Sequence, residues 1–205
     1  MTGRGSAATS GWPVLYYDLG SPYAYLACAR VASLLGPESG RLEWRPILLG
    51  GLYKRFGGGS WARTPAREEG IAEIEQRAAR YGLPAIRWPD PFPGDMLAAM
   101  RAATAAAGAN RLQEFTKAAY RAAFVEGRDL SSTDAVLDVG QECGLERAWL
   151  DGVIADPAVK LSLRAATDDA GDRGVRGVPT LRAGDRLFWG DDRLEEAVAL
   201  ALGAS

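Results

Sequence analysis

A serine followed by a proline stands in "DLGSPYAYLA" (18–27), where an apolar run gives way to an alanine-rich stretch. Two chemistries suit that pair. Ser21 can accept a backbone N–H as a helix N-cap, with Pro22 at the first helical position. It can also hold a reactive sulfur. A helix N-terminus carries unpaired N–H groups and a partial positive charge, and both favour a thiolate over a thiol. Composition narrows the partners. The 205-residue chain has no histidine, which excludes a Ser-His-Asp triad, a Cys-His pair and imidazole metal ligands. Acid–base work falls to carboxylates, Tyr, Lys, Cys or a bound cofactor. Cys28 and Cys143 are the two cysteines, and neither belongs to a C-x-x-C pair. Cys28 follows Ser21 by about 10 Å of helix, too far to serve the same helix end. Disulfide exchange needs an attacking thiolate and a resolving thiol, so a dithiol oxidoreductase is rejected.

The elements that must position Ser21 follow from periodicity. "WPVLYYDL" (12–19) is short, apolar and aromatic and reads as a buried strand. A helix follows over 22–35, closed by Gly36-Pro37. Leu42, Trp44 and Pro46 alternate in a second strand within 41–50, giving a β-α-β unit with parallel strands and a right-handed crossover. "LYKRFGGGSWARTP" (52–65) reads as a glycine-rich loop. Ile71, Ile74, Ala78 and Tyr81 repeat at helical spacing, with Glu73 and Arg77 paired four apart on the surface. "WPDPFPGD" (88–95) is a proline-broken connector. Alanine-rich helices follow at 96–107 and 111–126. Ser131 and Asp134 resemble a capping box opening a helix to about Cys143. Asp156-Pro157 opens another that runs to about Asp172. "GVPTLRAGDRLFWG" (177–190) is a hairpin around Ala183-Gly184-Asp185, and "DDRLEEAVALALG" a final helix with acids in its first turn. The expected architecture is an α/β core of residues 12–50 plus 175–203, interrupted by a helical insertion over 51–174, with residues 1–11 flexible.

A formal net charge of -2 and a pI of about 5.4 argue against a nucleic-acid partner, which requires a basic face. So few cysteines suit a reducing compartment. The N-terminus lacks the apolar segment of a signal peptide, and no apolar run is long enough to cross a membrane. The expectation is a cytoplasmic protein with no membrane partner.

The order β-α-β, helical block, β-β-α is the layout of a thioredoxin-like fold. Within it, "YDLGSPYAYLA", "PILLGGLYK", "GVRGVPTL" and "FWGDDRLEEA" together resemble the 2-hydroxychromene-2-carboxylate isomerase family. That family is similar to the kappa-class glutathione transferases, and both belong to the DsbA-like thioredoxin superfamily. The resemblance implies glutathione as cofactor, with Ser21 holding its thiolate. It implies a cis bond between Val178 and Pro179, with the Val178 backbone pairing with the glutathione peptide as a short added strand. At these positions an ordinary trans proline and a simple helix cap are the alternatives. Asp191 and Asp192 match the segment that receives the γ-glutamyl end, with Asp192 preferred. Arg67 or Lys54 would bind a substrate carboxylate, although each also suits a solvated surface cation. Tyr23, Tyr25, Trp61, Trp88 and Trp189 are candidate walls for a small aromatic substrate. Gly57-Gly58-Gly59 and Gly70 depart from the family pattern, Gly70 where relatives carry an aromatic. The implied activity is glutathione-dependent isomerisation of an aromatic or conjugated keto acid by a homodimer. A kappa-like transferase or peroxidase, or a binding module without chemistry, are the alternatives.

Overall fold

The computed structural model describes residues 12–203, so the stretch 1–11 read as flexible lies outside the described residues. A four-stranded sheet of order β2-β1-β3-β4 forms the centre. Strand β1 (Val14–Tyr17) runs parallel to β2 (Glu43–Pro46) and antiparallel to β3 (Thr180–Ala183). Strand β4 (Arg186–Trp189) closes the hairpin on β3 through Gly184, whose φ of 57° lies in the left-handed region that glycine occupies without strain.

β1 is apolar at every position because both of its faces are covered. Leu15 and Tyr17 point into the larger core, with α1 (Pro22–Leu35) and α9 (Leu194–Ala201). Val14 and Tyr16 point into a smaller core with Ile47, Leu52 and Val178. This is the period of two expected of a strand, and it fixes the register from which Ser21 is launched.

Between β2 and β3 lies the helical block: α2 (Leu49–Phe56), α3 (Arg67–Arg80), α4 (Leu97–Gly108), α5 (Leu112–Phe124), α6 (Thr133–Glu142), α7 (Arg147–Ala155) and α8 (Pro157–Asp172). Small side chains let these helices pack closely, and Ala99, Ala102, Ala103 and Ala106 of α4 and Ala119, Ala122 and Ala123 of α5 are all buried. The proline-broken connector before α4 contains cis bonds at Asp90-Pro91 and Phe92-Pro93.

Some local expectations are corrected. The stretch from Leu52 is not all loop, because α2 continues to Phe56 and only then does the chain leave the helix at Gly57. Helix α2 tolerates Gly51 because it approaches α8 closely there. A Cβ on Gly51 would lie 2.9 Å from the Thr167 methyl. The capping box at Ser131 and Asp134 does not form. Ser131 instead donates to Asp129, and Ser132 precedes α6 without a side-chain cap. Helix α7 has no counterpart in the sequence reading. The side chain of Glu146 caps it by accepting from the Ala148 and Trp149 amides.

No helix among the described residues is long and apolar enough to cross a membrane.

Candidate active site

β1 ends at Tyr17 and the chain turns through Asp18, Leu19 and Gly20 into α1. The Asp18 carboxylate holds this turn. One oxygen accepts from the Gly20 amide at 2.8 Å and the other from Leu49, the first residue of α2, at 2.8 Å. Burial pushes the Asp18 carboxyl up despite these two donors. The turn is thereby tied to the second strand-helix junction, and Ser21 is set at the head of α1.

Ser21 is 5% exposed, and its Oγ accepts from the Ala24 amide at 3.2 Å. That is the N-cap. It does not exhaust the hydroxyl, which has one O–H to donate and a second lone pair. No other hydrogen bond to Ser21 Oγ forms among the described residues, so its proton remains available to an acceptor in front of the helix. Pro22 has no N–H, and the Tyr23 amide has no protein acceptor among the described residues. The cap and a sulfur-binding donor are therefore compatible at one residue.

Ser21 opens onto a groove of about 260 Å³, across which lie Val178 and Pro179. Their peptide bond is cis, as the family resemblance implies. The Val178 N–H and C=O form no backbone hydrogen bond among the described residues, because pairing of β3 begins at Thr180. The loop is fixed on both sides. The Thr180 hydroxyl donates to the Gly177 carbonyl at 2.7 Å, and the Gly190 amide donates to the Pro179 carbonyl at 2.9 Å. Gly177 has no side chain because the Trp189 indole covers it, 2.6 Å from where a Cβ would lie.

The expected acids divide. Asp192 lines the groove with its side chain 60% exposed and makes only a long contact, 4.0 Å, to Arg77. Asp191 stands differently. It borders the groove, but its carboxylate is buried and committed, accepting from Arg77 Nη1 at 2.8 Å and from the Tyr81 hydroxyl at 2.9 Å. Burial pushes the Asp191 carboxyl up, against the lowering effects of Tyr81 and Arg77. Arg77 was expected on the surface beside Glu73. It does pair with Glu73 at 2.6 Å, but it also lines the groove. Burial works against its charge, yet Asp191 and Glu73 hold its guanidinium above its ordinary value. Glu73 also accepts from the Tyr23 hydroxyl at 2.7 Å. Arg30 lies over the Tyr81 ring at 3.5 Å, bonds the Asp191 carbonyl and pairs with Glu195. This network joins α1, α3 and the short 3-10 turn Asp191–Arg193 that leads into α9.

The expected aromatic walls divide as well. Tyr23, Trp61 and Trp189 line the groove. Tyr25 does not, being packed in the core against Tyr120 and Phe124. Trp88 packs on Phe92 at 4.6 Å and donates to Glu75. Gly70 is explained by Trp61, whose ring occupies the space a Cβ on Gly70 would need. The Trp61 ring reaches this face of the helix from the 3-10 turn Trp61–Arg63.

Arg67 takes the position of the surface cation given as its alternative. It pairs with its neighbour Glu68 at 2.9 Å and lines neither cavity. Lys54 lines a second, larger cleft of about 1320 Å³ that shares Leu49 and Tyr53 with the Ser21 groove. Tyr53 was not singled out in the sequence, and nothing in "GGLYKRF" marks it apart from its neighbours. Cys28 is buried and burial pushes its thiol up, so it offers no thiolate to the groove. No group of three or more His, Cys, Asp or Glu residues among the described residues is arranged to hold a metal.

A thioredoxin-type core whose first helix opens on Ser-Pro, facing a cis-proline loop, defines a thioredoxin-like protein without a dithiol of its own. The chain belongs to the DSBA-like thioredoxin domain family, which matches residues 14–201. It is 29% identical over 188 residues to a 2-hydroxychromene-2-carboxylate isomerase of Sphingobium xenophagum, covering 88% of this chain and 92% of that protein. It is 25% identical over 195 residues to the Homo sapiens glutathione S-transferase kappa 1, covering 88% and 86%. Among solved structures, a 2-hydroxychromene-2-carboxylate isomerase superposes with a TM-score of 0.82 at 23% identity, covering 93% of this chain and 94% of that one. A probable DsbA oxidoreductase of Streptomyces coelicolor gives 0.71 at 21% identity, covering 94% and 90%. These two structural likenesses define the fold.

Proposed function

We propose that the chain is a glutathione-dependent isomerase of an aromatic or conjugated keto acid, of the 2-hydroxychromene-2-carboxylate type. The observation that carries this reading is Ser21, whose Oγ caps α1 while its O–H stays spare, facing the cis Val178-Pro179 loop across one groove. The residues present fit the tripeptide. The unpaired Val178 backbone suits its peptide, and the Asp192 carboxylate suits its ammonium group. Ser21 Oγ–H and the Tyr23 amide would point at its sulfur, with the end of α1 adding positive potential. When bound, glutathione supplies a thiolate that adds to the conjugated system and later leaves, freeing the intervening bond to rotate. Lys54 in the adjoining cleft would hold the substrate carboxylate and offset enolate charge. No histidine is required of the chain.

The reading includes a cytoplasmic homodimer. Its dimeric state is checked by sedimentation of the purified chain.

Calorimetric titration with reduced glutathione, following thiolate absorbance in parallel, tests the reading. The parent is expected to bind with a thiolate signal. In Ser21→Ala that signal is lost and turnover falls on the order of a hundredfold, while stability falls by only about 0.5–2 kcal/mol. Absence of binding at millimolar glutathione would sink the reading. The similarity to the kappa 1 transferase supports a second use of the same thiolate, and assaying a conjugation substrate beside a chromene substrate separates the two.

A further inference from the structure

The cleft beside the Ser21 groove carries charge that the fold does not use. Its floor is apolar, with Leu48, Met96, Met100 and Leu163, and its volume is about 1320 Å³. Typical ligand pockets fall in the range of about 300–1,000 Å³, so a single-ring keto acid would leave much of it empty. Its three acids are each held by the fold. Asp18 accepts two backbone amides, Asp95 accepts from the Leu97 amide at 2.9 Å, and Asp168 faces Arg164 at 3.7 Å. Of its cations, Arg55 pairs with Asp172 at 2.6 Å.

Lys54, Arg63, Arg101 and Lys160 form no ion pair among the described residues, although all line this cleft. They come from α2, the 3-10 turn Trp61–Arg63, α4 and α8. Arg101 makes one long bond, at 3.4 Å, to the Ile154 carbonyl, and its buried Nε has no partner. Elsewhere arginines are commonly paired, as Arg147 is with Asp134 and Asp138 and Arg128 with Glu142. Cations gathered from distant parts of the chain around an apolar floor repel one another, and with Arg55 and Arg164 they outnumber the cleft's carboxylates, Asp18, Asp95 and Asp168, by six to three.

Resting on the thiol-dependent reading above, we propose that the second substrate is an elongated conjugated electrophile whose tail carries two or more negative charges. The apolar floor holds its carbon skeleton, and Lys54, Arg63, Arg101 and Lys160 hold the charged tail. The shared walls at Leu49 and Tyr53 place the reacting end beside the groove of Ser21. A phosphate ester and a polycarboxylate present the same chemistry to these cations.

The test titrates pyrophosphate and citrate into the full chain by calorimetry, without thiol, for the parent and for an Arg63→Gln, Lys160→Gln double variant. One anion is expected to bind with a Kd below about 1 mM, and the double substitution to weaken it about tenfold or more. Preference for pyrophosphate identifies a phosphate tail, and preference for citrate a polycarboxylate. In a second arm S-hexylglutathione is compared with its analogue ending in a phosphonate. The phosphonate is expected to bind about tenfold tighter to the parent, and to lose that gain in the double variant. Three results would each overturn the proposal. These are no anion binding, anion binding that survives the double substitution, and no gain from the phosphonate although S-hexylglutathione binds. If S-hexylglutathione itself does not bind, the thiol reading falls and takes the substrate assignment with it, while the anion titration still reports whether the cleft is a polyanion site.

Discussion

The Ser21 groove and the cleft beside it handle charge in opposite ways. Along the groove, charges are spent on each other. Arg77 is shared between Glu73 and Asp191, Asp191 between Arg77 and Tyr81, and Arg30 between Glu195 and the Asp191 carbonyl. Such a closed network fixes backbone. It joins α1, α3 and the turn into α9, and it leaves Ser21 and the Val178 backbone facing open space, with the Asp192 carboxylate, 60% exposed, at the network's edge 4.0 Å from Arg77. In the cleft, Lys54, Arg63, Arg101 and Lys160 have no carboxylate partner among the described residues. Paired charge near the groove is structural, whereas unpaired charge in the cleft is available to a ligand. The two regions should therefore respond to neutralisation with different signs.

The largest effect is expected where the network is deepest. Arg77→Met leaves the Asp191 carboxylate, 1% exposed, facing Tyr81 alone. Removing one partner of a buried pair leaves an uncompensated charge, at a cost of about 3 kcal/mol. Adding Asp191→Asn to Arg77→Met should recover most of that loss, since the orphaned charge is then gone. Urea unfolding at neutral pH measures both. If Arg77→Met unfolds at the parental midpoint, the network is not structural and the contrast between the regions fails.

Gly70→Ala comes next. The new methyl would overlap the Trp61 ring, which contacts Tyr23 edge-on at 6.2 Å and walls the groove. Overpacking of this kind costs about 1–3 kcal/mol, and here the ring has the groove into which to move. The expected outcome is a smaller groove and a rise in the glutathione Kd, with cleft binding of pyrophosphate unchanged. Equal loss at both sites would show that groove and cleft are one mechanical unit.

The fold and the site were not equally legible in the sequence. Ser21-Pro22 and Val178-Pro179 lie within short motifs, so their places at a helix head and before a hairpin follow from local pattern. β1 is legible for the same reason, because both faces of "VLYY" are buried. The Arg77–Asp191 bond spans 114 positions, and no local periodicity joins such residues. Read locally, Arg77 is only an i,i+4 partner of Glu73, and Asp191 only an acid in a first helical turn. Arg67 shows the same limit in the reverse sense: near that loop a cation reads equally as a substrate ligand or a surface charge, and it pairs with the residue beside it. Two glycines and a glycine run hid α2, whose closeness to Thr167 is what requires Gly51. The cleft was illegible because each of its cations arrives from a different element, and only the packing of α2, α4 and α8 assembles them.

A smaller effect is expected at Glu73, with a defined pH dependence. The Tyr23 hydroxyl holds its carboxyl below the ordinary value of 4.5, with Arg77 helping and partial burial opposing. A folded-state value below the unfolded one means that the contact stabilises fully above about pH 4.5 and is lost as pH falls through the lowered value. Glu73 is 44% exposed, so solvent screening keeps the contribution below about 1 kcal/mol. Stability of the parent and of Glu73→Gln should therefore differ at neutral pH and converge in acid. A constant difference across that range would assign the loss to packing and not to charge.

The smallest effect, and the sharpest contrast with Arg77, is expected from Arg63→Gln with Lys160→Gln. Both side chains belong to exposed residues that form no ion pair among the described residues, so their removal orphans nothing. Stability should stay within about 0.5 kcal/mol of the parent. At low ionic strength any change should be a gain, because mutual repulsion is relieved. Salt should erase that gain, since at about 0.15 M charges are screened over roughly 8 Å. Pyrophosphate reverses the comparison: a bound polyanion stabilises the parent by mass action and leaves the double variant where it was. A loss of stability in the double variant without any anion would place these cations in the structural network instead, and the distinction between groove and cleft would disappear.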